Sequence, residues 1–229
     1  LTVTVFQYPK SIHKRRLSPR QFKRYQTYKR FLQNEFSRVC VYCRQPDSSA
    51  PSLNFGVDHY KPKGIPRFSN LVCDYENLYY CCGNCNSRKS NDWPRDENSG
   101  PYVVNPCDYE MTKHLRFDAK TGQIETRTLH GKHTEELLQL NDDARVNYRL
   151  STLRIVRLLT SEIEQLELQL KSVAGQLSAG LITQADYDTE EQAINQDLAG
   201  LHDTVAAQTG KLPLPPLQKN RLGVTLIKP

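Results

Sequence analysis

Cys40 and Cys43 make one Cys-x-x-Cys pair, Cys82 and Cys85 make another, and the dipeptide Asp58-His59 lies between them in VDHYKPKG. Asn77 and Asn86 follow in ENLYYCCGNCNSRK, the second asparagine directly after the last cysteine. Two cysteine pairs separated by a long loop supply the ligand number and pairing of a tetrahedral structural zinc. Cys81 adjoins Cys82 and could compete with it, but the two-residue spacing of the usual knuckle favours Cys82. A closed four-sulfur site leaves no coordination position for Asp58, His59 or Asn86. These three suit a second, hydrolytic site. A neutral imidazole is a general base near neutral pH, and the Asp and Asn oxygens suit a hard divalent ion such as Mg2+ or Mn2+. One carboxylate and one neutral amide leave that ion net positive, able to take a phosphodiester.

The parts are common, but their order is not. CxxC, Asp-His, Asn-Leu and CxxC-Asn, with Lys89 three positions past Asn86, resembles the HNH endonucleases over residues 40–91, about a quarter of the chain. The resemblance implies a ββα-metal fold with His59 as the catalytic base and Asp58 and Asn86 on the catalytic ion. It implies that Asn77 ties the loop together and helps orient His59, and that the products carry 5′-phosphate and 3′-hydroxyl ends. DNA is the expected substrate. Two rivals stand beside this reading: a zinc-knuckle module that binds nucleic acid or protein without chemistry, and an RNase toxin on the same scaffold. The first explains the cysteines but not the Asp58, His59 and Asn86 constellation.

A polyanionic substrate needs cations, and their distribution is lopsided. The chain has 229 residues and a net charge of +6, yet Asp and Glu are absent before Glu35 while nine Lys/Arg fall from Lys10 to Arg30. Residues 160–209 reverse this, with nine acidic side chains against Lys171 alone. The front end therefore suits phosphate and the back end does not. Arg20, Lys23 and Arg24, together with Lys61, Lys63, Arg67, Arg88 and Lys89 around the motif, are the candidate nucleic-acid contacts. His114, His130, His133 and His202 lack a comparable setting and read as surface or packing residues. Tyr25, Tyr28, Tyr79 and Tyr80 read as core. No apolar run is long enough for a membrane span, and Cys73, Cys81 and Cys107 read as reduced thiols, so a cytoplasmic protein is expected.

The elements that must position these groups give an α+β reading in four parts. Residues 1–37 hold a short strand at 1–6 and a basic helix at about 20–37, opened by Ser18-Pro19. Residues 38–134 hold the zinc and catalytic module, with strands at 55–59 and 78–82, a helix from Gly83 to about Ser90, and a β-hairpin turning at Lys120-Thr121-Gly122. Residues 135–210 begin with a short helix capped by Thr134. They continue as a helical hairpin, capped by Asp142 or Asn141, broken at Gly180 and restarted at Thr183. Its seam runs through Leu150, Leu153, Val156, Leu159, Ile163, Leu166, Leu170, Val173 and Leu177. Residues 211–229 are Pro-rich, basic and expected to be extended.

Asn105-Pro106, then HLRF, a glycine turn, and ELLQLND before an Arg-bearing helix resemble the HNH proteins that accompany retrons and Septu-type antiphage systems. That narrower resemblance implies the nuclease subunit of a defence system, controlled by a partner such as an ABC-like ATPase. The helical hairpin is the expected surface for that partner or for self-association.

Overall fold

The computed structural model describes residues 5–50, 53–214 and 217, and the expected strand at 1–6 and the Pro-rich tail fall largely outside them. Val5 and Phe6 form a turn and are buried. The architecture is α+β, with two small antiparallel sheets and five α-helices among the described residues. Strands β1 (Gly56–His59) and β2 (Leu78–Cys81) pair antiparallel, with Asp58 opposite Tyr79 and His59 opposite Leu78. Helix α2 (Gly83–Lys89) follows directly. Every residue of β2 is buried, and the strand packs against α1 (Lys29–Glu35).

The N-terminal segment departs from expectation. Ser18-Pro19 starts no helix, residues 12–22 have no regular structure, and a 3-10 turn at Tyr25–Tyr28 leads into the seven-residue α1. Tertiary hydrogen bonds override the local signal here. The fully buried Glu35 carboxylate accepts from the backbone N–H of Arg16 at 2.8 Å, that of Leu17 at 3.0 Å, and His13 Nε2 at 3.0 Å. Arg15 donates to the carbonyls of Glu76 and Leu78 and lies over the rings of Phe36, Tyr75 and Tyr79. Hydrogen bonds to a charged group are worth roughly 1.5–3 kcal/mol each, more than helix propensity gains over the same residues.

Strands β3 (Leu115–Phe117) and β4 (Ile124–Thr126) form the expected hairpin, and Gly122 takes φ +71° in its turn. Helix α3 (Leu129–Leu138) begins earlier than expected. Thr128, not Thr134, caps it, accepting from Gly131 N–H at 3.0 Å. Thr134 lies inside the helix with no exposure, where its hydroxyl donates to the His130 carbonyl and accepts from Val104 N–H.

Asp142 caps α4 (Asp143–Ser178), whose 36 residues span about 54 Å. Gly180 takes φ +70°, and Thr183 opens α5 (Gln184–Thr209) with a capping box closed by Asp186. Every seam residue expected along α4 is buried or half-buried, as are Ile194, Leu198, Leu201 and Val205 on α5. The root of the hairpin belongs to the main core: Arg149, 2% exposed, donates to the carbonyls of Gly122 and Leu140, and Ser48 donates to that of Ala207. No helix among the described residues is long and apolar enough to cross a membrane.

Candidate metal centre and active-site cleft

Cys40 and Cys43 sit on a knuckle closed by a bond from Arg44 N–H to the Cys40 carbonyl, with Arg44 at φ +61°. Cys82 is the N-cap of α2, and Cys85 lies in its first turn. The four buried sulfurs all fall within 4.8 Å of one another, so the group can hold a metal ion. The Cys43 and Cys82 sulfurs are 3.8 Å apart. A zinc tetrahedron with bonds of about 2.3 Å has edges of about 3.8 Å, so the donor set and its spacing fit zinc. Cys81, the last residue of β2, is buried but outside the group. Arg145 of α4 donates to the Cys85 sulfur at 3.5 Å. Burial opposes its charge, yet the neighbouring Cys85 and Cys43 sulfurs raise its pKa. Such a cation offsets the net negative charge of four thiolates around one zinc ion.

Residues of β1 and α2 also border an open cleft lined by Asp58, His59, Lys63, Asn86, Ser87 and Asn91, among others. His59 is 6% exposed, and its Nε2 lies 3.0 Å from the Val72 carbonyl. A carbonyl oxygen can only accept, so this bond places the proton of neutral imidazole on Nε2 and the lone pair on Nδ1. Burial lowers the His59 pKa below its ordinary 6.5, against the opposing effects of the Val72 bond and Asp58. Asp58 is 3% exposed; its carboxylate accepts from Tyr42 Oη at 2.5 Å and Lys89 Nζ at 3.3 Å. The Asn86 side chain is half-exposed and makes no hydrogen bond among the described residues. Gly64 lets the loop close over this floor, since a Cβ there would meet the Asn91 side chain at 2.5 Å.

Asn77 faces the loop that carries the Val72 carbonyl. Its amide accepts from Lys61 N–H and donates to the Lys61 and Leu71 carbonyls, which holds the loop on either side of the His59 contact. Among the described residues no hydrogen bond joins it to the His59 ring.

The expected phosphate contacts divide. Lys63 is exposed and lines the cleft, with Nζ 3.0 Å from Tyr25 Oη. Arg20, Lys23 and Arg24 are exposed, and Tyr25, next in the chain, sets its ring edge-on against His59 at 4.5 Å between centroids. The basic segment therefore ends at the cleft. Lys89 is a correction: it has no exposure and donates to Asp58 and, at 2.7 Å, to the His59 carbonyl, so it cannot reach a phosphate. Arg88 is half-buried, its guanidinium engaged by the Leu138 and Gln139 carbonyls and Asp142 at the hairpin root. Lys61 pairs with Glu97 over Phe68 and Trp93, and Arg67 donates to the carbonyls of Pro94 and Arg95. Tyr25, Tyr42 and Val72 were not legible as site residues, because an aromatic or aliphatic side chain at helical or loop spacing carries no mark of what it will touch.

Over 110 residues the chain is 29% identical to Septu protein PtuB of Bacillus thuringiensis, a match covering 48% of this chain and 39% of that protein. No family model and no solved structure matches the chain.

Proposed function

We propose that this chain is an HNH-type phosphodiesterase that cuts nucleic acid, with a structural zinc in the cysteine quartet and a catalytic ββα unit made of β1, β2 and α2. The observation that carries the proposal is the His59 cleft, where an imidazole with its Nε2 proton tied to Val72 stands beside two hard oxygen donors. Asp58 and Asn86 are the residues that would hold a Mg2+ or Mn2+ ion. Both line the same cleft, and Asp58 is fixed from behind by Tyr42 and Lys89. When bound, that ion supplies Lewis-acid polarisation of the scissile phosphate. His59 Nδ1 takes a proton from the attacking water as its oxygen bonds to phosphorus and the 3′-oxygen departs. Asn77 keeps the Leu71–Val72 carbonyls in place, and Lys63 meets a phosphate at the rim. Lys23 and Arg24 extend that contact along the backbone without reading sequence.

The test is cleavage of DNA and RNA, each with added Mg2+ or Mn2+, by wild type and His59→Ala. Loss of cutting with zinc content intact supports the enzyme. Cutting at the wild-type rate would leave the zinc-knuckle binding module as the reading, and cutting of RNA alone would favour the toxin.

The partial likeness to a Septu protein supports an antiphage-defence role for the proposed activity. The outer hairpin is acidic and exposes Ile155, Leu158 and Leu168, with Leu181 at its tip, a surface suited to protein rather than to phosphate. We assign it to docking on an ATPase subunit. Leu158→Glu with Leu168→Glu should abolish co-purification with that subunit while leaving zinc content and salt-dependent nucleic-acid binding unchanged.

A further inference from the structure

Lys89 lies buried beneath the cleft and enters the mechanism above only as a brace behind Asp58. It is the last residue of α2, one turn beyond Cys85 and Asn86, and its ammonium is completely buried. It donates to Asp58 Oδ1 at 3.3 Å and to the His59 carbonyl at 2.7 Å, so it bridges both residues of the Asp-His pair. Among the residues lining the cleft Asp58 is the one carboxylate, and Lys63 adds a second positive charge at the rim. Without substrate the site therefore offers a divalent cation no net negative charge.

We infer that Lys89 is a positioning residue that neutralises Asp58 and so makes divalent-ion binding depend on the phosphate of the nucleic acid. The inference rests on the function proposed above. The carboxylate keeps lone pairs beyond those used by Lys89 and Tyr42, so it still ligates, but it no longer attracts the ion on its own. A phosphodiester supplies the missing charge. By linkage the ion then tightens nucleic-acid binding by the same factor that nucleic acid tightens the ion. The arrangement keeps the centre unloaded until substrate is in place.

The experiment measures Mn2+ binding to the full chain by electron paramagnetic resonance, in a His59→Ala background that prevents cleavage, with and without a single-stranded DNA oligonucleotide. The reference protein should bind Mn2+ weakly alone and more tightly with DNA. Lys89→Met should bind Mn2+ alone about tenfold more tightly, since a unit charge a few ångströms from a divalent ion costs about that much even at the dielectric of water. It should also lose most of the DNA dependence. Tyr42→Phe removes a hydrogen bond to Asp58 but no charge, and should leave Mn2+ affinity in the free protein within about twofold, well short of that charge effect. Zinc content and circular dichroism verify the fold, and Lys89→Gln serves if the Met variant does not fold. Unchanged or weaker Mn2+ binding by a folded Lys89 variant overturns the inference alone. Failure of both variants to fold assigns Lys89 to architecture and overturns it too. No Mn2+ uptake by any protein, with or without DNA, overturns the divalent ion of the proposed function and the inference with it.

Discussion

The cysteine quartet and the His59 cleft share helix α2, yet they are finished differently. The quartet is closed, its sulfurs facing one another out of solvent, with Arg145 covering one side. The cleft is held from behind and open in front. Val72, Tyr42 and Lys89 fix His59 and Asp58, whereas Asn86 and Lys63 face the opening. Helix α2 serves both because successive helical positions turn about 100°, which sends Cys85 to one side and Asn86 to the other. A structural metal site needs every position filled, and a catalytic one must keep some vacant. Helix α2 contributes Cys85 to the first and Asn86 to the second.

That contrast can be broken from either side. The largest effect should follow Cys85→Ser. A structural zinc is worth roughly 10–16 kcal/mol, comparable to the net stability of a whole domain, so the variant should be insoluble or unfolded and lose zinc together with all cleavage. A folded, active protein without zinc by elemental analysis would refute the scaffold role. His59→Ala should do the opposite, keeping fold and zinc while cleavage falls by about 10²–10⁴-fold. Because burial lowers the His59 pKa, the base remains unprotonated below pH 6.5, and the acid limb of the cleavage profile should lie below that value. An acid limb above it would mean that another group is titrating.

A smaller effect concerns how the wall bearing Tyr25 is fastened. Burial alone would raise the Glu35 carboxyl, but hydrogen bonds from His13, Arg16 and Leu17 outweigh it and hold the pKa at about 2, against an ordinary 4.5. A depressed carboxyl stabilises the fold above its unfolded value and loses that contribution as pH falls from 4.5 toward about 2. The shift corresponds to about 3 kcal/mol, so Glu35→Gln should lower the denaturation midpoint at neutral pH and flatten its loss in acid. The smallest effect is expected at the rim. Lys23→Ala with Arg24→Ala should reduce the salt dependence of nucleic-acid binding by a slope of about 1.4–1.8, the counterion release of two phosphate contacts. An unchanged slope would remove the basic segment from the interface.

Both the quartet and the cleft were legible in the residues because each depends on local spacing. Each Cys-x-x-Cys pair brings two sulfurs together locally, one on a knuckle and one at a helix start, and Asp58-His59 before Asn86 marks a strand followed by a helix start. The hairpin seam was legible for the same reason, since a period of 3 to 4 apolar residues over α4 leaves little choice of face. The fates of individual cations were not. Lys63, Lys89 and Arg88 look alike in sequence, yet one lines the cleft, one is sealed beneath it and one ties down the hairpin root.

The expected basic helix forms only over residues 25–35 and starts later than Ser18-Pro19 for a related reason. Ser18-Pro19 is a sound local start, but the carboxylate that captures the backbone of Arg16 and Leu17 belongs to Glu35, at the far end of α1. The sequence by itself determined which groups could ligate zinc or move a proton, because those capacities belong to side chains and their spacing. Only the tertiary structure decided which of them are exposed, which are paired and which nitrogen of His59 is free, because burial and partners come from residues remote in the chain.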